Sequence, residues 1–284
     1  MTDAIAVTGL EAVTVETGLG RVRAFVAGDG VPVVLLHGLS AGASTWVEVV
    51  DRLRPAVRVT AVDLPGHGGS SPPPRGAGIA WYADAVAAAI GALGPVPAVL
   101  VGHSFGGQIA LRVAQRHPDT VRALVLVGPS GVLPLRARTR VLAVLTTVLR
   151  PGARAAPLGL RLAERAWFKR VAFGPLLAAD PAALPARAVR GFFAELREHT
   201  DVRTARRAIL AEPPFPTEWT PACRSLVLWG AADAVVPVEH GFALARATSV
   251  SLRAVADCGH LLIGERPDAV VDAIAAVAMY RSTV

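Results

Sequence analysis

Cysteine, lysine and charge in general are scarce in this chain of 284 residues, and each shortage excludes something. Its two cysteines, Cys223 and Cys258, are too few for a disulfide framework and lack CxxC spacing, which fits a reducing compartment and gives no support for a zinc site. The opening stretch MTDAIAVTGLEAVTVETG has no basic start and no apolar run, and it carries Asp3 and Glu11, so a cytoplasmic protein is expected rather than a secreted one. The longest apolar tract, VAAAIGALGPVPAVLVG, is broken by Gly91, Gly94, Pro95 and Pro97; it reads as a helix, a turn and a strand, and no transmembrane segment is expected. Charged residues make up only 18% against 52% hydrophobic, which argues against disorder and for a large buried core. There is no internal repeat and no low-complexity tract.

What charge there is sits unevenly. The formal net charge is +7, but residues 131–217 carry 14 Arg and 1 Lys against 6 acids, a surplus of +9, leaving the remainder at −2. With a single lysine in the chain and abundant alanine, the first reading of this is a compositional bias toward arginine. A functional reading is an anionic substrate, or peripheral contact with a membrane surface, facing that segment. No nucleic-acid recognition motif accompanies the basic residues, so no nucleic-acid partner is expected.

Short β-branched runs alternate with amphipathic stretches, a pattern that predicts an α/β fold: a mostly parallel central sheet of about eight strands with helices on both faces. The strands are expected at VTVE (13–16), RVRAFVA (21–27), VPVVLLH (31–37), VRVTAVD (57–63), AVLVG (98–102), RALVLVG (122–128), RSLVLWG (224–230) and VSLRAVA (250–256). Those from residue 31 onward are expected to be buried on both faces, and the first two to form an antiparallel edge. Helices are expected over 44–54, 81–93, 104–117, 238–248 and 265–281, the last with Pro267 in its first turn. Between Gly128 and Arg224 no strand pattern occurs. Apolar residues there recur at helical spacing, as in VLAVLTTVL (141–149) and LRLAERAWFKRVAF (160–173), which predicts a helical cap over 131–217 inserted into a core of 1–130 and 218–284.

One junction carries chemistry. In Gly102-His103-Ser104-Phe105-Gly106-Gly107 an apolar strand turns into a helix within a residue or two. Side chains at 102 and 106 would collide with neighbouring backbone in so tight a turn, and Ser104 would be pushed to an unfavourable conformation with its hydroxyl exposed beyond the sheet edge. A serine hydroxyl needs a general base, itself oriented by an acid. Asp233 follows one buried strand, in GAADAVVP, and His260 follows the next, in DCGH. In a parallel sheet these loops leave on one edge, so Ser104, Asp233 and His260 are expected to converge. Asp257 is an alternative acid. His67 is read as shaping its loop, Asp63 as structural, Ser70 and Ser71 as candidate contacts, and His117, His199 and His240 as ordinary surface or core residues.

Four blocks, VVLLHGLS (33–40), VDLPGHGGSS (62–71), VGHSFGG (101–107) and WGAADAVVP (229–237) with CGHLLIGERPD (258–268), resemble the α/β-hydrolase superfamily over nearly the whole chain, in its serine-nucleophile branch with a helical cap. The resemblance implies that Ser104 is the nucleophile, His260 the base and Asp233 the acid. It also implies that the backbone N–H groups of Leu39 and Phe105 form the oxyanion hole, with His37, Gly38, Gly102, His103 and Gly106 supporting the loops. Neither a metal nor an organic cofactor is called for. The implied activity is hydrolysis of a carboxylic ester of a hydrophobic or aromatic small molecule; the substrate is expected to be apolar, with an anionic one also compatible. Carbon–carbon hydrolase, lactonase, thioesterase, acyltransferase and haloperoxidase chemistries stay open, as does a non-catalytic ligand-binding protein; oligomeric state is not readable.

Overall fold

The structure, a computed structural model, describes residues 8–134, 137, 141, 151–215 and 219–278. Eight strands occur among them: β1 (Glu11–Thr17), β2 (Gly20–Ala27), β3 (Pro32–Leu36), β4 (Arg58–Val62), β5 (Ala98–His103), β6 (Val121–Val127), β7 (Arg224–Gly230) and β8 (Ser251–Val255). They form one sheet in the order β1-β2-β4-β3-β5-β6-β7-β8. The strands from β4 through β8 in that order pair in parallel, while β1 with β2 and β2 with β4 are antiparallel, which makes the expected antiparallel edge.

Continuous apolar runs in the central strands follow from burial of both faces. Val34, Leu100 and Leu124 are register neighbours and turn to one side; Val33, Leu35, Val99 and Val101 turn to the other. Each fully buried Val or Leu contributes about 1.5–3 kcal/mol of transfer free energy. The α-helices bounded within the described residues, in chain order, are α1 (Val47–Leu53), α2 (Ile79–Leu93), α3 (Phe105–Arg116), α4 (Pro151–Leu162), α5 (Ala166–Leu177), α6 (Ala186–Ala194), α7 (Val202–Ala211), α8 (Glu239–Thr248), α9 (Leu262–Glu265) and α10 (Pro267–Ala278). Apolar residues of α2, α3 and α8 cover the first side and those of α1 and α10 the second.

Three expectations are corrected. β8 is not buried on both faces: it is the sheet edge, with β7 as its one neighbour, and Ser251, Arg253 and Ala254 are exposed. The helix expected over 44–54 opens as a 3₁₀ turn, Ala43–Trp46, before α1 begins. The helix expected over 265–281 begins at Pro267, as α10, and the short α9 ends before it at Glu265, because Pro267 cannot continue a preceding helix and biases Arg266 (φ −140°) away from helical backbone.

Helices α4 to α7 lie between β6 and β7, and among the described residues of that stretch there is no strand. The apolar run at 141–149, apart from Val141, lies outside the described residues. Phe168, Phe173 and Phe193 pack into a cluster of their own, with Phe168 and Phe193 rings 5.6 Å apart. Trp167 instead stands 57% exposed. Asp201 caps α7: its Oδ1 accepts from the N–H groups of Arg203 and Thr204, satisfying donors that a helix start leaves open.

Candidate active site

At the end of β5 the chain takes φ 54°, ψ −113° at Ser104, and α3 begins at the next residue. Positive φ at a residue with a Cβ costs on the order of 1–3 kcal/mol and persists only where the surroundings impose it. Here they do: Ser104 N–H donates to the Val127 carbonyl (3.0 Å), and the Ser104 carbonyl accepts from Gln108 (3.0 Å) and Ser130 (3.1 Å). A Cβ at Gly102 would overlap the Gly106 carbonyl, and one at Gly106 would overlap the carbonyls of Leu36 and His37. Glycine at both positions is therefore a packing requirement, as the motif suggested.

The three loops meet. Ser104 Oγ lies 3.0 Å from His260 Nε2, and His260 Nδ1 lies 2.7 Å from Asp233 Oδ2. A carboxylate oxygen can only accept, so the imidazole carries its proton on Nδ1 and presents the Nε2 lone pair to the serine hydroxyl. The second carboxylate oxygen of Asp233 accepts from the N–H groups of Val235 (2.9 Å) and Val236 (2.8 Å). The side chains of His260 and Asp233 are 6% and 1% exposed, so this relay is shielded from water. Asp257, the alternative acid, is exposed at positive φ, with its carbonyl accepting from Arg266.

Leu39 follows β3, and Phe105 opens α3. Among the described residues no acceptor is found for the N–H of either. Gly38 brings the first loop close to the serine, since a Cβ there would stand 3.4 Å from Ser104 Cβ and 3.3 Å from His103 Nδ1.

Buried histidines brace these loops. His37 Nε2 accepts from Leu64 N–H (3.0 Å) while its Nδ1 donates to the Gly38 carbonyl (2.7 Å). His67 Nε2 accepts from Ser40 N–H (3.2 Å). Burial lowers the pKa of both, His67 well below the usual range because His37 and His199 crowd it as well. His103, the residue before the serine, donates from Nε2 to the His260 carbonyl (2.8 Å); burial, with His260 beside it, lowers it to about 3. All three are thereby kept neutral near pH 7, as the acceptor roles of His37 and His67 need. His199 is buried beside them: its ring lies 5.3 Å from that of His67, and its Nδ1 accepts from Gly68 N–H. Ser70 is occupied structurally, donating to the Asp63 carbonyl and accepting from Arg23 N–H.

Ser104 and His260 open onto a cavity of about 370 Å³. Its far wall comes from the inserted helices, with Val171, Phe173, Leu177 and Phe192 among its residues; Arg206 of α7 contributes a cation. Of the phenylalanines of the insertion, Phe173 and Phe192 reach the cavity, whereas Phe168 and Phe193 serve the packing of the insertion. Sequence reasoning missed Arg23 and Glu195, which join the insertion to the core by a hydrogen bond from Arg23 Nη2 to Glu195 Oε2 (3.0 Å). Nothing in the linear pattern marks them, since they lie 172 residues apart. Among the described residues no cluster of His, Cys, Asp and Glu could hold a metal ion, and no helix is long and apolar enough to cross a membrane.

An elbow serine paired with histidine and aspartate at the carboxyl edge of a mostly parallel sheet defines a class. Residues 33–273 match the model of the alpha/beta hydrolase family, and the chain belongs to that family. A pimeloyl-[acyl-carrier protein] methyl ester esterase of Aromatoleum aromaticum is 32% identical over 256 residues, covering 83% of this chain and 93% of the relative. Its counterpart in Chromobacterium violaceum is 45% identical over 103 residues, a match that spans 36% of this chain and only 39% of the relative. Among solved structures, naproxen esterase (carboxylesterase NP) of Bacillus subtilis shares the fold with TM-score 0.75 at 20% identity, covering 96% of this chain and 94% of that one.

Proposed function

We propose that the protein is a serine hydrolase that cleaves a carboxylic ester of a small hydrophobic or aromatic molecule through an acyl-enzyme on Ser104. The observation that carries this reading is the relay from Ser104 through His260 to Asp233, at 3.0 and 2.7 Å, opening onto a cavity with mostly apolar walls. The ester activities named for the relatives support the same chemistry.

In this reading His260 Nε2 takes the hydroxyl proton as Ser104 Oγ attacks the ester carbonyl carbon. The N–H groups of Leu39 and Phe105 receive the oxyanion, and the N-terminal end of α3 adds its dipole. As the tetrahedral intermediate collapses, the carbon–oxygen bond to the alcohol breaks and His260 returns the proton to the leaving alkoxide. Water then repeats the sequence on the acyl-enzyme, releasing the acid and restoring the serine. Asp233 holds the imidazole in the required tautomer and stabilises its transient cation. The helical insertion at 131–217 acts as a cap over the core of 1–130 and 218–284, supplying the acyl-binding wall.

The test is hydrolysis of p-nitrophenyl esters of graded chain length by wild type and Ser104→Ala, with fluorophosphonate labelling of the same proteins. Ser104→Ala is expected to lose about 10⁶ in kcat and all labelling. Ester turnover near the wild-type rate in that variant would refute the proposal.

A further inference from the structure

The loop from His37 to Trp46 carries Leu39, and it has few internal backbone hydrogen bonds of its own: Ala41 N–H to the Gly38 carbonyl (3.2 Å) and Thr45 N–H to the Gly42 carbonyl (3.1 Å). Its remaining shape is imposed by side chains from elsewhere. His67 accepts from Ser40 N–H, Asp63 Oδ1 from Ala43 N–H (2.9 Å), and Glu195 Oε1 from Ser44 N–H (2.6 Å). The first two belong to the turn after β4, in the core. Glu195 does not: it follows α6, in the insertion. Ser44 Oγ adds a second tie to the insertion, donating to the Gly191 carbonyl (2.7 Å).

A carboxyl group 99% removed from water is costly unless it is bonded on every side. Glu195 is 1% exposed and is bonded in that way. Its Oε2 accepts from Arg23 Nη2 (3.0 Å), while Arg23 Nε reaches Asp63 (2.6 Å) and Nη1 reaches Glu198 (2.6 Å). The carboxyl groups of Asp63 and Glu195 come so close that a Cβ at Gly68 would overlap both. Burial, with Asp63 next to it, pushes the Glu195 carboxyl well above the usual range, while the hydrogen bond from Glu195 and the charge of Arg23 outweigh burial and hold Asp63 below it. Glu195 thus behaves as a neutral acid that donates to Asp63 and accepts from Ser44.

We propose that Glu195 is a positioning residue for the oxyanion loop: by holding Ser44 from the insertion while Asp63 holds Ala43 from the core, it makes presentation of the Leu39 N–H depend on how the insertion is seated. This rests on the reading of Leu39 as an oxyanion donor. Such a donor works only within about 2.7–3.1 Å of the developing charge, and a misplacement of about 1 Å costs on the order of 10² in rate.

The experiment compares wild type, Ser104→Ala, Glu195→Ala, Glu195→Gln and Ser44→Ala on a short p-nitrophenyl ester, with folding checked by circular dichroism. Inhibition by a trifluoromethyl ketone, whose serine adduct bears an oxyanion, is measured in parallel. Folded Glu195→Ala is expected to lose about 10- to 100-fold in kcat with KM changed less than about 3-fold, and to bind the ketone correspondingly more weakly. Glu195→Gln keeps an acceptor for Ser44 N–H and a donor for Asp63 but cannot accept from Arg23 Nη2, and it is expected to recover part of that loss. If Glu195→Ala does not fold, Glu195→Asp, prepared alongside, decides: its shorter side chain keeps a carboxyl group beside Arg23 but withdraws the acceptor from Ser44 N–H, with a similar loss in kcat and in ketone affinity together, whereas Ser44→Ala removes only the tie to Gly191 and is expected to lose less. A kcat within about 2-fold of wild type in the deciding variant, or equal loss in Glu195→Gln and Glu195→Ala, overturns the proposal. Full activity in Ser104→Ala would instead bring down the catalytic reading on which it rests.

Discussion

His103 Nε2 donates to the backbone carbonyl of His260 at 2.8 Å, and the two rings lie 5.0 Å apart. The residue before the elbow serine therefore holds the residue that hydrogen-bonds to that serine. His103→Ala is expected to lower kcat about 10-fold by loosening the His260 loop, with His103→Gln, which keeps a donor, falling less. Steady-state kinetics on the two folded variants checks this, and equal rates for wild type and His103→Ala would count against it.

Asp233→Asn separates orientation from mere hydrogen bonding. Two backbone N–H groups, from Val235 and Val236, occupy Oδ1, so the asparagine oxygen belongs there and its NH₂ faces His260. Nδ1 must then accept, which moves the imidazole proton to Nε2 and removes the base from Ser104. A loss of up to about 10⁴ in kcat is expected without loss of folding. Retained activity would show that another acid serves.

Gly106→Ala tests the elbow as packing. Its Cβ would meet the carbonyls of Leu36 and His37, backbone atoms that cannot rotate away. A destabilisation of about 1–3 kcal/mol is expected from overpacking, read as a lower urea midpoint at unchanged m-value. A midpoint equal to wild type would mean that the turn relaxes freely.

Acid should destabilise the fold through its buried histidines. The ordinary pKa of His103 is 6.5, and burial lowers it to about 3 in the folded chain. Between those values the unfolded chain binds a proton that the folded chain does not. Stability from this group is therefore complete above the unfolded pKa and is lost as pH falls toward the folded one, at about 1.4 kcal/mol per pH unit. Urea titrations at about pH 7 and pH 5 should show wild type losing roughly 2 kcal/mol more than His103→Gln. Identical losses would remove His103 from the account.

The cavity wall should set chain-length preference. Phe192 lines the cavity and packs edge-on against Phe173, their centroids 5.2 Å apart. Phe192→Ala is expected to shift the kcat/KM optimum toward longer acyl chains, by about 10-fold or more for each methylene newly accommodated. An unchanged chain-length profile would place the acyl group elsewhere.

Much of this architecture was legible in the sequence because it follows from short-range rules. Buried parallel strands such as VVLL and LVLV leave apolar runs, the elbow needs glycine at 102 and 106, and an open parallel sheet sends its loops out on one edge. Where the reading failed, the cause was a neighbour rather than a propensity. β8 (SLRAV) carries Ser251 and Arg253 among its apolar residues, and its place at the end of the sheet order, with β7 as its one neighbour, leaves both exposed. In the insertion, Phe192 and Phe193 are adjacent in sequence; whether each faces the cavity or the helical packing is set by how α6 is docked.

The sequence by itself determined the strand–turn–helix that presents Ser104, because steric limits at a tight turn act within a few residues. It also set the order in which Asp233 and His260 follow, because chain order along a parallel sheet fixes which loops share an edge. Only the tertiary structure decided that Glu195, Asp63 and Arg23 meet beneath the Leu39 loop and that three histidines hold its neighbours. Those contacts join segments up to 172 residues apart, and a buried polar group finds its partner by geometry and desolvation, neither of which leaves a periodic mark in the chain.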